Sequence, residues 1–102
     1  MIELLEPWMK PRNPEALIAE LSREMREDGV LYKVEVKALA MRCDSDDVLF
    51  ALDDGSQRVA VVHLTWSGKQ DSNKGWPQTE VFDSLDSWIS MVMIPDHEEY
   101  VR

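Results

Sequence analysis

The chain has 102 residues, and its 20 acidic and 11 basic side chains give a formal net charge of −9. With 44% hydrophobic and 30% charged residues it has the composition of a globular protein, and its length is that of a single domain over residues 1–102. Phosphate binding depends on clustered lysines and arginines, so the charge argues against nucleic acid and anionic membranes as ligands.

The negative charge is concentrated after Cys43. Residues 1–43 hold 8 acidic and 7 basic side chains, a net charge of −1, whereas residues 44–102 hold 12 and 4, a net charge of −8. A basic protein is therefore the partner that charge complementarity favours, although acidity also serves solubility alone.

Cysteine usage and the first residues indicate a cytoplasmic protein. Cys43 has no second cysteine to pair with, and a lone thiol is typical of a reducing compartment. No apolar run reaches the ~18 residues of a membrane helix, and residues 1–11 lack the basic and apolar regions of a signal peptide. We expect the cytoplasm unless a leader segment precedes this sequence.

The first predicted element is a helix from Pro14 to about Asp28. Asn13 can cap its start, proline suits the first helical position, and Gly29 can end it. Apolar residues recur at steps of three and four: Leu17, Ile18, Leu21 and Met25. One face should pack and the other should be solvated.

Three strands are predicted next. Alternation begins at Tyr32 and blurs at residues 38–41, which indicates either a covered strand or a bulge. A short apolar strand over residues 48–52 and a second over residues 59–66 flank the hairpin signal at residues 53–56. The apolar residues on both sides of the last strand are typical of a central strand.

A polar loop over residues 67–78 precedes a second helix, which Asp83 and Ser84 can cap and Pro95 should end. The expected class is α+β: an antiparallel sheet of three or four strands with both helices packed on it, in the order α-β-β-β-α. We expect one core formed by Leu17, Leu21, Met25, Val34, Val36, Phe50, Val62, Leu64, Trp66, Trp88, Ile89 and Val92.

No metal or cofactor site is predicted. The acidic turn Asp44–Asp47 fails the calcium-loop pattern, because Leu49 and Gly55 stand where glycine and glutamate are needed. A solvated turn that protects a sheet edge is favoured. Cysteine and histidine are too sparse for a closed zinc site, and phosphate-binding glycine patterns are absent from the sequence.

The alternative to a binding protein is an enzyme or small-molecule binder with a pocket between the sheet and the 67–78 loop. Its wall would hold His63 and Cys43, because a histidine can activate a neighbouring thiolate. A buried structural thiol and a hydrogen-bonded histidine are the favoured interpretation. With no complete catalytic set, enzyme activity is not expected.

The hypothesis that the chain binds a partner rests on its tryptophans. Trp66 and Trp88 continue apolar faces of predicted elements and are assigned to the core. Trp8 and Trp76 lie beside prolines in irregular segments, either as lids on the core or as exposed anchors of the kind enriched at binding hot spots. With Lys69 they form the predicted partner-binding set.

The stretch from His63 to Lys69, followed by Trp76-Pro77-Gln78-Thr79 and Phe82, resembles a group of small bacterial proteins without an established function. The resemblance covers the second half of the chain and assigns no catalytic residue. In general character the chain also resembles the compact acidic immunity proteins that neutralise bacterial toxins. The leading hypothesis is a protein-binding or regulatory protein, such as an inhibitor of a basic protein, and a homodimer without a ligand is a further alternative.

Overall fold

The computed structural model describes residues 3–69 and 77–102 of the chain. These residues form strands and helices in an order that starts with a short strand rather than with the predicted helix. The elements are β1 Trp8–Met9, α1 Pro14–Glu24, β2 Val36–Arg42, β3 Asp47–Leu52, β4 Val59–His63 and β5 Gln78–Phe82, followed by α2 Leu85–Trp88, a π turn Ile89–Met93 and α3 Ile94–Tyr100.

The strands form one antiparallel sheet in the order β1-β2-β3-β4-β5, so each strand pairs with its neighbour along the chain. The α+β class and the antiparallel sheet agree with the sequence. The number of strands does not, because the sheet has five where three or four were predicted. Strand β1 has only two residues and β5 mixes polar with apolar residues, so neither gives the alternating pattern that identifies a strand.

Helix α1 begins where the sequence predicts. The Asn13 side chain accepts a hydrogen bond from the Ala16 amide at 3.2 Å, and Pro14 takes the first helical position. The helix ends at Glu24 instead of Asp28. Met25 already has an extended backbone, with ψ of 124°, although its amide still bonds to the Leu21 carbonyl.

The second helix begins at its predicted cap but passes through Pro95. The Ser84 hydroxyl accepts a hydrogen bond from the Ser87 amide at 3.1 Å. The π turn then bonds the Ile94 amide to the Ile89 carbonyl. This hydrogen bond replaces the usual α-helical pattern next to Pro95, which has no amide hydrogen to donate. Helix α3 then continues to Tyr100. No helix in residues 3–69 and 77–102 is long and apolar enough to cross a bilayer.

The protein has two cores, one on each face of the sheet, rather than the single core predicted. Strands β3 and β4 carry buried apolar residues on both faces, so each face needs its own cover. Helix α1 covers the first cluster: Leu17, Leu21, Met25, Leu31, Val48, Phe50, Leu52, Ala60, Val62 and Leu64. The C-terminal helical segment, residues 85–100, covers the second: Trp8, Ala40, Leu49, Val59, Phe82, Trp88 and Met93.

Strand β2 begins at Val36, later than the predicted Tyr32. Residues 29–34 form turns instead, in which the Tyr32 amide bonds to the Gly29 carbonyl and the Val34 amide to the Leu31 carbonyl. The pairing register with β3 shifts between Ala38 and Ala40, so the blurred alternation at residues 38–41 marks a bulge.

Candidate protein-binding site

Two glutamates of α1 are buried almost completely. Glu20 is 2% exposed and Glu24 is 1% exposed. They lie one turn apart and face the segment that follows β4, residues 64–69. A buried carboxylate is costly unless hydrogen-bond donors replace its water, and the backbone of this segment supplies them.

Glu24 fixes the first turn of the 64–69 segment. Its Oε1 accepts a hydrogen bond from the Thr65 amide at 2.8 Å, and its Oε2 accepts one from the Trp66 amide at 2.7 Å. Trp66 has a φ of 58°, in the left-handed region that costs a residue with a Cβ roughly 1–2 kcal/mol. Hydrogen bonds to a carboxylate are strong enough to hold this conformation. They explain why β4 ends at His63 instead of continuing to Trp66 as predicted.

Glu20 fixes the second turn of the same segment. Its Oε2 accepts a hydrogen bond from the Gly68 amide at 2.9 Å, and its Oε1 accepts one from the Arg23 guanidinium at 2.7 Å. Gly68 has a φ of 75°, a conformation that glycine adopts without strain. The two glutamates therefore determine the path of the backbone from residue 65 to residue 68.

The two carboxyl groups also share a hydrogen bond, and their pKa values move in opposite directions. Burial raises the pKa of Glu24 above its ordinary value of 4.5, and the hydrogen bond to Glu20 is the second cause of this increase. The bond from Glu24 is the main cause that lowers the pKa of Glu20. Burial therefore disfavours the charged form of Glu24, whereas the Glu24 and Arg23 side chains favour the charged form of Glu20.

The indole of Trp66 lies on the surface, although the strand pattern assigned it to the core. The side chain is 47% exposed, while Leu64, two residues earlier, is fully buried. The left-handed turn at Trp66 breaks the alternation of the strand and directs the indole outward. The result is a large aromatic side chain on a backbone that two buried carboxylates hold in place.

The acidic turn Asp44–Asp47 lies beside the 64–69 segment. The Leu64 amide bonds to the Asp46 carbonyl at 3.1 Å, and Asp47 pairs with His63 across β3 and β4. Asp44 and Asp46 are exposed, in keeping with the predicted solvated turn. The exposed indole and the acidic turn therefore share one end of the sheet.

One residue of the predicted binding set, Lys69, lies in this segment. It is exposed at the end of the segment, three residues after Trp66. Trp76 lies outside the described residues, so its role as an anchor stays a prediction.

Trp8, the third member of that set, is buried at 2% exposure. Its ring meets that of Trp88 edge to face, with centroids 5.0 Å apart. Its Nε1 donates to Asp96 Oδ2 at 3.0 Å, and Arg42 donates to the same oxygen at 2.9 Å. Trp8 is therefore a lid on the second core, and its indole is not available to a partner.

Cys43 is exposed, so the expectation of a buried thiol in a strand is wrong. Strand β2 ends at Arg42, and the Cys43 amide bonds to the Pro7 carbonyl at 2.8 Å as the chain enters the acidic turn. The thiol lies 3.8 Å from the Tyr100 hydroxyl, a contact that raises the pKa of Tyr100.

His63 and Cys43 do not come together as a catalytic pair. His63 Nδ1 hydrogen bonds to Asp47 Oδ1 at 2.7 Å, as expected of a structural histidine in a strand. Strand β3 separates β4 from β2, which puts the two backbones roughly 10 Å apart at two strand spacings. The thiol instead contacts the end of α3.

Neither a metal-ligand cluster in the described residues nor a match to a known protein assigns a function to this chain. The described ranges contain no group of three or more histidine, cysteine, aspartate or glutamate side chains that could hold a metal ion. Comparisons with protein-family models, curated proteins and solved structures find no match to this chain. The resemblance of the His63–Lys69 stretch therefore stays a prediction.

The glutamates that shape this site are the residues that sequence reasoning missed. The helical spacing could have predicted their burial. Glu20 and Glu24 stand three and seven residues after Leu17 and therefore lie on the apolar face of α1. An acidic residue within an apolar stripe is buried only when donors reach it. Those donors belong to a backbone more than 40 residues further along the chain, which periodicity does not reveal.

Proposed function

We propose that the chain is a protein-binding or regulatory protein that presents Trp66 as the central anchor to a basic protein, in the manner of an inhibitor or immunity-type protein. The observation that carries the proposal is the half-exposed indole on a backbone fixed by Glu24. Tryptophan is the side chain most enriched at binding hot spots, and an anchor that is already rigid loses little conformational entropy on binding.

The charges around the indole support a basic partner. Asp46 is exposed on the neighbouring turn, where Asp44 already pairs with Arg42 at 2.8 Å, and the chain as a whole carries −9. Exposed charges at the rim of an interface mainly accelerate association and select the partner, while the buried anchor sets the rate of dissociation. Lys69, at the end of the same segment, adds a contact for an acidic group within that partner. A reducing, cytoplasmic location fits the lone thiol.

The test is affinity capture from the native lysate with the wild-type protein and Trp66→Ala, followed by measurement of the affinity for each captured protein. We expect a basic protein that binds the wild type, with association that slows as salt rises. Trp66→Ala should weaken that complex by at least ~2 kcal/mol, chiefly through faster dissociation. Alanine keeps the Cβ at φ of 58°, so the free protein should keep nearly all of its stability.

Met91→Ala is the matched control, because Met91 is 66% exposed and lies in the helical segment on the other face of the sheet. It should leave binding unchanged. The proposal is wrong if every captured protein binds the wild type and Trp66→Ala equally well. It is also wrong if Trp66→Ala lowers the free energy of unfolding as much as a core truncation does.

A further inference from the structure

The segment over residues 65–69 is exposed, and its hydrogen bonds to α1 all end on one pair of carboxyl groups. That pair, Glu20 and Glu24, accepts from three amides of the segment at distances from 2.7 to 2.9 Å. The other hydrogen bonds of the segment join its own residues to each other. Within the described chain, the carboxyl pair therefore makes the hydrogen bonds that hold this segment against the protein.

The carboxyl pair has one neighbouring cation for its two acidic groups. Arg23 reaches Glu20 Oε1 at 2.7 Å, whereas both oxygens of Glu24 accept from backbone amides. The surroundings supply no second cation among the described residues, because Lys69 is exposed and the first core, on which α1 packs, is apolar. With one proton on the pair, the cluster is neutral. Without that proton it contains an uncompensated buried charge, which is costly.

We propose that the carboxyl pair is a pH-dependent switch, which holds residues 65–69 against α1 while Glu24 is protonated and releases them when Glu24 is ionised. Release lets water hydrate both carboxylates. It also relaxes the left-handed backbone of Trp66, whose φ is 58°. The two amides bond more strongly to an ionised Glu24, which opposes release. Burial and the hydrogen bond to Glu20 outweigh them, because the pKa of Glu24 is raised overall.

The direction of the switch follows from the pKa values of the pair. A released Glu24 has its ordinary pKa of 4.5, so the held form binds the proton more tightly. Raising the pH above 4.5 therefore favours release until Glu24 ionises in the held form as well. The lowered pKa of Glu20 acts below 4.5, where protonation of Glu20 removes its ion pair with Arg23. The segment is thus held most firmly close to pH 4.5 and less firmly as the pH rises.

The switch regulates the proposed anchor, since Trp66 lies in the segment that is released. A partner that binds the held indole should therefore bind more weakly as the pH rises. Only this consequence rests on the proposed function. The release itself is a property of the protein without a partner and is tested in that form.

Amide hydrogen exchange of the full chain labelled with ¹⁵N, from about pH 5 to about pH 8, tests the switch. The intrinsic exchange rate at each pH, divided by the measured rate, gives a protection factor that is free of base catalysis. Protection at Thr65, Trp66 and Gly68 should fall by up to about tenfold per pH unit, the slope of one linked proton. It should also stay below the protection of the amides in the central strand β3.

Urea separates release of the segment from unfolding of the whole protein, because its effect grows with the surface that an opening exposes. At about 1 M urea, protection in β3 should fall at least about fivefold. Protection at Thr65, Trp66 and Gly68 should hardly change, because release of a segment that is already exposed uncovers little new surface.

Three variants assign the pH dependence to the carboxyl pair. Glu24→Gln removes the titrating group and should make protection at Trp66 independent of pH. The matched control is Glu27→Gln, an exposed position beyond the end of α1, which should keep the pH dependence of the wild type. Glu20→Gln removes the neighbouring negative charge and should move the fall in protection to lower pH. This shift keeps the assignment testable even if Glu24→Gln does not fold.

Three outcomes overturn the inference. One is protection at Trp66 that does not change with pH in the wild type. A second is a pH dependence that persists in Glu24→Gln. A third is protection at Trp66 as high and as sensitive to urea as that of β3, because the segment would then open only when the whole protein unfolds. None of these outcomes bears on the proposed function, and failure to find a partner would not bear on the switch.

Discussion

The two flanks of helix α1 differ in how they contact the rest of the protein. On one flank, Glu20 and Glu24 meet the backbone of the 64–69 segment, and each of their oxygens has a donor. On the other flank, Ile18 faces an open groove of about 570 Å³ beside an edge strand. Within the described residues the first flank is complete, whereas no side chain fills the second.

This difference indicates which side of α1 is held in a single arrangement. A buried carboxylate with all its hydrogen bonds made allows one arrangement, because any shift exposes an unsatisfied polar group. An apolar groove has no such constraint. The complete flank therefore holds the 64–69 segment in one arrangement, whereas no comparable hydrogen bonds are made across the groove within the described residues.

The largest expected effect comes from breaking the complete flank. Glu24→Ala removes the acceptors of the Thr65 and Trp66 amides and the hydrogen-bond partner of the buried Glu20. We expect the free energy of unfolding to fall by about 2–4 kcal/mol, since unsatisfied buried polar groups are costly. Urea denaturation measures this change.

Glu27→Ala is the control for the lost charge, because Glu27 is exposed just beyond the end of α1. A surface substitution of this kind should change stability by no more than about 0.5 kcal/mol. Similar small effects from both variants would mean that the carboxylate of Glu24 does not hold the 64–69 segment.

A smaller effect is expected in the pH dependence of stability. The raised pKa of Glu24 means that the folded protein keeps a proton that the unfolded chain releases near its ordinary value of 4.5. This contribution to stability is complete below that value and is lost as the pH rises through the raised pKa. Glu24→Gln removes the titration and, like the protonated acid, donates to Glu20.

The free energies of unfolding of wild type and Glu24→Gln, measured from about pH 5 to about pH 8, test this assignment. The advantage of the wild type should shrink as the pH rises. The lowered pKa of Glu20 acts in the opposite sense, with stability present above 4.5 and lost as the pH falls, and it remains in both proteins. Parallel curves for the two proteins would contradict a raised pKa of Glu24.

Local patterns predicted the elements that depend on neighbouring residues. Asn13 and Ser84 cap their helices as expected, because each cap is closed by an amide three residues away. The antiparallel sheet follows from short links between successive strands. The two cores were missed because apolar residues on both sides of β3 and β4 indicate burial without saying that two helices lie on opposite faces.

The surface proposed for binding was less accessible to prediction than the fold. The pattern of β4 assigned Trp66 to the core, and only a carboxylate from a distant helix turns its indole outward. Trp8 was left open between anchor and lid, and its partners, Trp88 and Asp96, are more than 75 residues away in sequence. Where the decisive contact is remote, periodicity identifies the residue but not its environment.

The smallest effect on stability is expected from filling the open flank. Ser22 is exposed on the wall of the groove, so the indole of Ser22→Trp can cover half-exposed apolar residues such as Tyr32 and Val34 without displacing the core. We expect the free energy of unfolding to stay equal or to rise by up to about 1 kcal/mol, in proportion to the apolar area covered. Ala19→Trp, on the solvent face of the same helix, should change it by no more than about 0.5 kcal/mol. If Ser22→Trp instead lowers stability by the roughly 1–3 kcal/mol typical of an overpacked core, the two flanks do not differ, because the space beside α1 is not available to an incoming side chain.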